Sequence, residues 1–333
     1  MFQRMLVPVD GGEPAQAGLQ EALALATAHD SVLCLLHVVD DAPLLDDLSA
    51  PDLAPLHHKT LASGEAILAQ ARALCEAKDR RVETRLHESR HGRASDAILQ
   101  QARELACDLI VIGSHGRRGA LRALLGSDAE AVIRASPVPV LLVRSVTETA
   151  SAIAVNARVP YRSILVPIDG SETSDRGLQQ AIQLGLMNHG RLRLIHVVDE
   201  LSMVDAFEPA LTLDWVGRLR EGGRWILDQA AKRVREAGLS VETLLVDDFG
   251  RRVWTVVAED ATNWLADVVV LGSHGRRGFD RLLLGSDAEQ ILRHSPVPVL
   301  LVRPDQAAQG RSLQRTPVQG LKEETPAASP GPN

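Results

Sequence analysis

The chain has 333 residues, a hydrophobic content of 45% and a formal net charge of −7. That length predicts two domains of ordinary size, each able to bury its own core. The acidic balance, with one Tyr and four Phe in the whole chain, argues against a nucleic-acid partner, which wants a basic surface and stacking side chains.

The first element is a strand, Met5-Leu-Val-Pro-Val-Asp10-Gly11. No stretch reaches the ~18–20 apolar residues that cross a bilayer, and the N-terminal apolar run is only a strand long, so no membrane partner and a cytoplasmic location are expected. Pro14 suits the first turn of a helix whose body runs through Gly18–His29, with apolar residues at helical spacing. A second strand follows at Val32-Leu-Cys-Leu-Leu-His37-Val-Val-Asp40; Asp41–Pro55 reads as loop and helix ends. A helix over Ala94–Ala106 leads into Asp108-Leu-Ile-Val-Ile112. The short, nearly continuous apolar runs are those of strands buried on both faces of a parallel sheet. Strands alternating with helices predict a doubly wound α/β fold. Cys34, Cys75 and Cys107 show no CxxC spacing and read as reduced and buried.

Behind the Ile112 strand comes a glycine-rich element, Gly113-Ser-His-Gly116-Arg-Arg-Gly119, then Gly126-Ser127-Asp128-Ala129-Glu130. Ser127 and Glu130 have the spacing of a capping box, which would start a helix there. Loop and helix start together make an anion cradle, with free N–H groups and the positive end of the helix dipole. Gly113 and Gly116 would let the backbone approach a ligand, and Arg117 and Arg118 would add charge. The same residues also suit plain structural roles: glycines mark turns, Ser127 caps its helix, and paired arginines lie on a solvated surface. GxxxxGK[ST] and GxGxxG are both absent, so neither the common P-loop nor a Rossmann dinucleotide site is expected.

The chain then repeats itself at an offset of 159. Ile164-Leu-Val-Pro-Ile-Asp169-Gly170 matches the first strand, Arg191–Asp199 the second, and Asp267–Leu271 the third. Gly272-Ser-His274-Gly275-Arg276-Arg277-Gly278 and Gly285-Ser286-Asp287-Ala288-Glu289 repeat the glycine element. Across Gly113–Arg144 and Gly272–Arg303, 25 of 32 residues are identical. Glu200–Leu213 differs from its counterpart, Ser145–Val159 joins the copies, and 305–333 reads as a disordered tail.

Gly113-x2-Gly116-x9-Gly126-Ser127 and its second copy resemble the nucleotide motif of the universal stress protein family. So do Val-Pro-x-Asp at Pro8–Asp10 and Pro167–Asp169, and the closing Pro-Val-Pro-Val-Leu-Leu-Val at 137–143 and 296–302. The resemblance covers 1–145 and 160–304. It implies two tandem domains, each with a mainly parallel five-stranded sheet flanked by helices. It further implies an ATP, with or without Mg2+, in each. Asp10 and Asp169 would face the ribose, with Pro8, Val9, Pro167 and Ile168 beside them, and Val39 and Val198 would lie near the adenine. Gly113, His115, Gly116, Arg117, Gly126 and Ser127, behind Ile112, would wrap one set of phosphates. Gly272, His274, Gly275, Arg276, Gly285 and Ser286, behind Leu271, would wrap the other. An Asp before Gly is equally a turn former. His37 and His196, in apolar strand ends, read as satisfied core or rim histidines.

Asp128 and Asp287 depart from the family, where a small or apolar residue is common. A carboxylate there would repel a triphosphate unless a cation intervenes, the side chain turns away, or affinity is weak. Pro137, Pro139, Pro296 and Pro298 lack amide donors, which puts the closing strands at sheet edges. The family joins such edges back to back, so an intramolecular pseudo-dimer is expected, with a homodimer as a further option. The leading reading is an ATP-binding stress-response module and not a dedicated enzyme, since no catalytic base with an oriented partner and no metal cluster stands out. Two alternatives stay open. One is an interaction protein of the same fold without ATP; the other is an adenylating enzyme, for which the Ser-Gly-Gly and His-x-Gly-His signatures are missing.

Overall fold

The computed structural model describes residues 2–40, 50–89, 92–116, 125–144, 161–198, 212–247, 250–273 and 284–303. In the first half the elements are β1 (Arg4–Pro8), α1 (Glu13–His29), β2 (Val32–Asp40), α2 (Ala50–Glu76), β3 (Val82–Ser89), α3 (Ala94–Glu104), β4 (Leu109–Gly113), α4 (Ser127–Ala135) and β5 (Val140–Val143). The second half repeats them as β6 (Ser163–Pro167), α5 (Glu172–Asn188), β7 (Arg191–Val197), α6 (Thr212–Glu236), β8 (Ser240–Val246), α7 (Val253–Asn263), β9 (Val268–Gly272), α8 (Ser286–His294) and β10 (Val299–Val302). Most of 41–55 and 200–213, the connection 145–160 and the tail from 304 onward lie outside the described residues.

The strands form one ten-stranded sheet in the order β3-β2-β1-β4-β5-β10-β9-β6-β7-β8. Within each half all pairings are parallel, and the one antiparallel joint is β5 with β10, where Leu141 faces Leu300. Alternation along each strand feeds two cores. Met5, Val7, Leu33, Leu35, Leu109 and Val111 pack under α1 and α2. Leu6, Leu36, Ile110 and Ile112 pack under α3 and α4 with Ile98, Val132 and Ile133. Strands covered on both faces need apolar residues at every position, which is why these runs are continuous and not alternating. Cys34, Cys75 and Cys107 are buried free thiols.

The closing strands are shorter than the motif that announced them. Pro137 and Pro139 stand before β5, and the ladder begins at Val140. Each closing strand is the edge of its own half-sheet, and that edge is covered by the other half. The halves therefore meet edge to edge and continue one sheet, instead of stacking back to back.

Side chains on either side of this joint complete it. Arg134 and Arg293, one from α4 and one from α8, share Glu130 and Glu289 in a closed quartet with contacts of 2.9 and 3.2 Å. Arg303 donates to the carbonyls of Ile133 (3.0 Å) and Arg134 at the end of α4, and Arg144 donates to the carbonyl of Arg293 at the end of α8. The last carbonyls of a helix have no partner within it. Here the opposite half supplies one. At the other end of the joint, His29 Nε2 lies 3.0 Å from Asn188 Oδ1.

Candidate functional site

In the order β3-β2-β1-β4-β5 the chain reverses direction across the sheet between β1 and β4. The carboxyl ends of strands at such a reversal diverge to opposite faces and leave a crevice. Asp10 and the glycine loop stand at this crevice. β1 ends at Pro8, and Val9 is buried, with its N–H donating to the Leu36 carbonyl at 2.8 Å. Asp10 then turns the chain: its Oδ1 accepts the Gly12 N–H at 2.8 Å. Gly11 sits at φ +79°, a backbone shape that glycine adopts without strain. The second half repeats this turn, with Asp169 Oδ1 accepting Ser171 N–H at 2.9 Å and Gly170 at φ +81°.

The turn occupies one carboxylate oxygen and aims the other at the loop. A Cβ added to Gly116 would meet Asp10 Oδ2 at 2.9 Å and no other heavy atom of the described residues within 4 Å. The structure thus brings together Asp10 and Gly116, two residues that the sequence separates widely. The loop is closed at its base. Ser114 N–H donates to Val143 O, and Gly126 N–H donates to Ser114 O, both at 2.8 Å. Ser273 and Gly285 repeat the arrangement at 3.0 Å. His115 is half-buried beside this base, its Nδ1 3.0 Å from Ser114 Oγ.

Three expectations change. First, Gly113 does not open onto a ligand. A Cβ there would lie 2.5 Å from both C and O of Pro14, so the absent side chain makes room for the first turn of α1. Gly272 does the same for Thr173 (2.4 Å). Gly126 likewise packs against its own loop, 3.0 Å from His115 Cα. Second, the capping boxes do not form. Gly126 and Gly285 are the N-caps, with no side-chain cap hydrogen bond, and Ser127 and Ser286 are the first residues of α4 and α8. Gly126 and Gly285 already offer their carbonyls to Glu130 and Glu289 N–H at 2.8 and 2.9 Å. The two glutamates turn instead to the arginine quartet. No serine side chain therefore competes for the first amides of these helices. Third, Asp128 turns away. Its Oδ1 accepts the Ser95 N–H at 3.3 Å in the first turn of α3, where a carboxylate complements the helix dipole. Asp287 is exposed on the first turn of α8.

β2 runs four residues past the level of Pro8, which pairs with Leu36. Val39 is buried on this overhang. Val198, also buried, follows β7 and donates to Val246 O at 2.8 Å. Ile112 and Leu271 are buried just before the loop, Ile168 is buried in the opposite core, and Pro167 is half-buried. Arg117, Arg118, His274, Gly275, Arg276 and Arg277 lie outside the described residues.

Sequence reasoning missed one pair of contributors. Ser114 and Ser273 tie the loop base through backbone atoms alone, which no residue pattern announces. His37 and His196 are buried, as expected of satisfied core or rim histidines, each with Nδ1 on a backbone carbonyl (Val9 O, 2.7 Å; Ile168 O, 2.6 Å).

Comparison with known proteins agrees with this architecture. The model of the universal stress protein family matches twice, over residues 1–144 and 160–303. A universal stress protein of Mycolicibacterium smegmatis is 26% identical over 307 residues, covering 90% of this chain and 97% of its own. A universal stress protein of Synechocystis is 31% identical over 156 residues, covering 43% of this chain and 98% of its own. Among solved structures, a universal stress protein from Archaeoglobus fulgidus superposes with a TM-score of 0.65 at 22% identity, covering 90% of this chain and 98% of its own. Two matched copies, ten strands in two mirrored sets of five, and one glycine loop behind each β4-type strand lead to one conclusion: the chain belongs to the universal stress protein family, as a tandem member with two domains.

Proposed function

We propose that each half, taken as 1–145 and 160–304, binds one ATP, and that the bound nucleotide regulates a stress-response module instead of feeding a dedicated enzyme. The observation that carries this reading is the juxtaposition at the β1/β4 crevice. Asp10 Oδ2 stands 2.9 Å from where a Gly116 side chain would begin. One carboxylate oxygen is held by the turn on Gly12 N–H, which places the Asp10 carboxylate beside Gly116, where it would face a ribose. Helices α4 and α8 start at this loop with glycine caps and no side-chain cap, so their first amides and dipoles suit phosphate oxygens. Val39 and Val198, buried at the end of β2 and just past β7, would supply apolar walls for the base.

The fit to a triphosphate is helped by Asp128, whose carboxylate is engaged by Ser95 and not aimed at the loop. Gly116, Ser127 and the α4 amides would hold the phosphates in the first half, together with Arg117; Gly275, Ser286, Arg276 and the α8 amides would do so in the second. Magnesium would accompany the triphosphate as charge neutralisation. Nucleotide binding would act by favouring one of two conformations or partner states through differential affinity. Neither nucleic acid nor a membrane is proposed as a partner. The closing edges that would pair two copies are filled within one chain, so a second copy would have to associate through another surface.

Isothermal titration with Mg-ATP tests this directly, with phosphate release followed on the same samples. The expected result is saturable binding at two sites per chain with no turnover at enzyme-like rates. Absence of binding at millimolar nucleotide would leave the interaction-protein reading; rapid phosphate release would make the chain an enzyme.

A further inference from the structure

We propose that His37 and His196 are positioning residues of the two sites, each fixing the carbonyl that precedes the site aspartate; the proposal rests on the nucleotide reading above. Val9 is where the chain leaves the sheet, and its backbone is held from β2 on both sides. Its N–H donates to Leu36 O at 2.8 Å, and its C=O lies 2.7 Å from His37 Nδ1. A carbonyl can only accept, so the Nδ1 position carries the proton. The next residue is Asp10, whose Oδ1 closes the turn on Gly12 N–H. With Val9 held on both sides, the plane of the Val9–Asp10 peptide is set by the imidazole. That plane sets where Asp10 Oδ2 points.

The ring itself is held in a slot. His37 is 5% exposed. A Cβ added to Gly64 on α2 would lie 2.6 Å from its Cδ2, 3.1 Å from its Nε2 and 2.8 Å from Leu86 Cδ1. Glycine is unfavourable inside a helix, and here the histidine occupies the space a side chain would take. The second half repeats every part. Ile168 N–H donates to Ile195 O at 2.8 Å, and His196 Nδ1 stands 2.6 Å from Ile168 O. A Cβ at Gly223 on α6 would lie 2.7 Å from the His196 ring. Bulk apolar packing would not require a donor at this spot in both halves. A buried carbonyl at the point where the strand becomes a binding turn does require one.

The test uses the full chain and a fluorescent ATP analogue. Wild type is expected to bind two equivalents. His37→Leu, which fills the slot without a donor, should weaken one equivalent about tenfold and leave the other unchanged, the scale of one lost buried hydrogen bond. His196→Leu should do the reverse. His37→Asn, whose amide nitrogen sits where Nδ1 does, should restore both. Hydrogen exchange supplies an independent readout: the Gly12 amide loses protection in His37→Leu while the Ser171 amide keeps it. Should His37→Leu not fold, His37→Gln, with its amide at the level of Nε2, is read in its place. Unchanged analogue affinity or unchanged Gly12 protection would overturn the inference. If wild type binds no nucleotide, the parent reading falls, and the Gly12 exchange still decides whether His37 positions the turn.

Discussion

Replacing Gly113 by alanine separates a packing glycine from a binding glycine. The new Cβ would sit 2.5 Å from Pro14 C and O and 2.9 Å from Ala15 N, all of them backbone atoms of α1. Ordinary contact begins at 3.4 Å, so α1 or β4 must give by roughly 0.9 Å. Neither moves freely: α1 is anchored by buried Leu19, Leu23 and Ala26, and Gly113 is paired with Val143 in the sheet. Overpacking of this kind costs about 1–3 kcal/mol, and a backbone obstacle places it in the upper half. The reduced freedom of the unfolded chain returns about 0.4–1 kcal/mol. The net loss is about 2 kcal/mol, or a fall of about 4–8 °C in melting temperature for a unit of this size. Urea titration followed by far-UV circular dichroism should show a lower midpoint at unchanged slope. Gly272→Ala, opposite Thr173 C and O at 2.4 Å, should behave as its twin. Gly116→Ala meets, among the described residues, only a carboxylate oxygen and should stay within about 0.5 kcal/mol of wild type. A Gly113→Ala protein as stable as wild type would refute the claim that this glycine exists for α1.

Gly116→Val, with branched bulk against Asp10 Oδ2, should remove one of two nucleotide equivalents in calorimetry while the urea midpoint holds. In the quartet, a double-mutant cycle of Arg134→Gln and Glu289→Gln should give a coupling of about 0.5–1 kcal/mol that shrinks between low and 1 M salt; zero coupling at low salt would make the quartet decorative. Burial lowers the pKa of His29 from its ordinary 6.5, against the pull of Asn188, so the folded state prefers the neutral ring. Its contribution to stability is then lost as pH falls through 6.5, the unfolded value. His29→Gln should accordingly lose less unfolding free energy between pH 7.5 and 5.5 than wild type; equal losses would count against the assignment. Burial, with Glu76 adding to it, raises the Cys75 thiol to about 11, so at pH 8 a disulfide reagent should label Cys75 only as fast as urea opens the fold.

The fold was legible because both-face burial leaves continuous apolar runs, and the 159-residue offset doubled every signal. What escaped depends on contacts between distant segments. Whether a glycine faces a ligand or a neighbour is decided by what stands opposite, and Pro14 stands opposite Gly113 only once α1 has crossed β4. The Ser-x-x-Glu spacing at Ser127 was a fair capping signal. It failed because Gly126 takes the cap position and the opposite half recruits Glu130. Arg144 and Arg303 follow the closing strands with no pattern to mark them; their role as caps for the other half's helices appears only when β5 meets β10. Asp10 was legible as a turn former, and the structure shows that turn, with Oδ1 on Gly12 N–H and Oδ2 beside Gly116.

The central claim is that this tandem chain carries two adenine nucleotides. Denaturing freshly purified protein, separating the released small molecules by chromatography and counting them per chain tests it most directly. The account predicts about two adenine nucleotides per chain after saturation with Mg-ATP and removal of excess, falling to one in Gly116→Val. No released nucleotide, with no thermal shift at millimolar Mg-ATP, would contradict it.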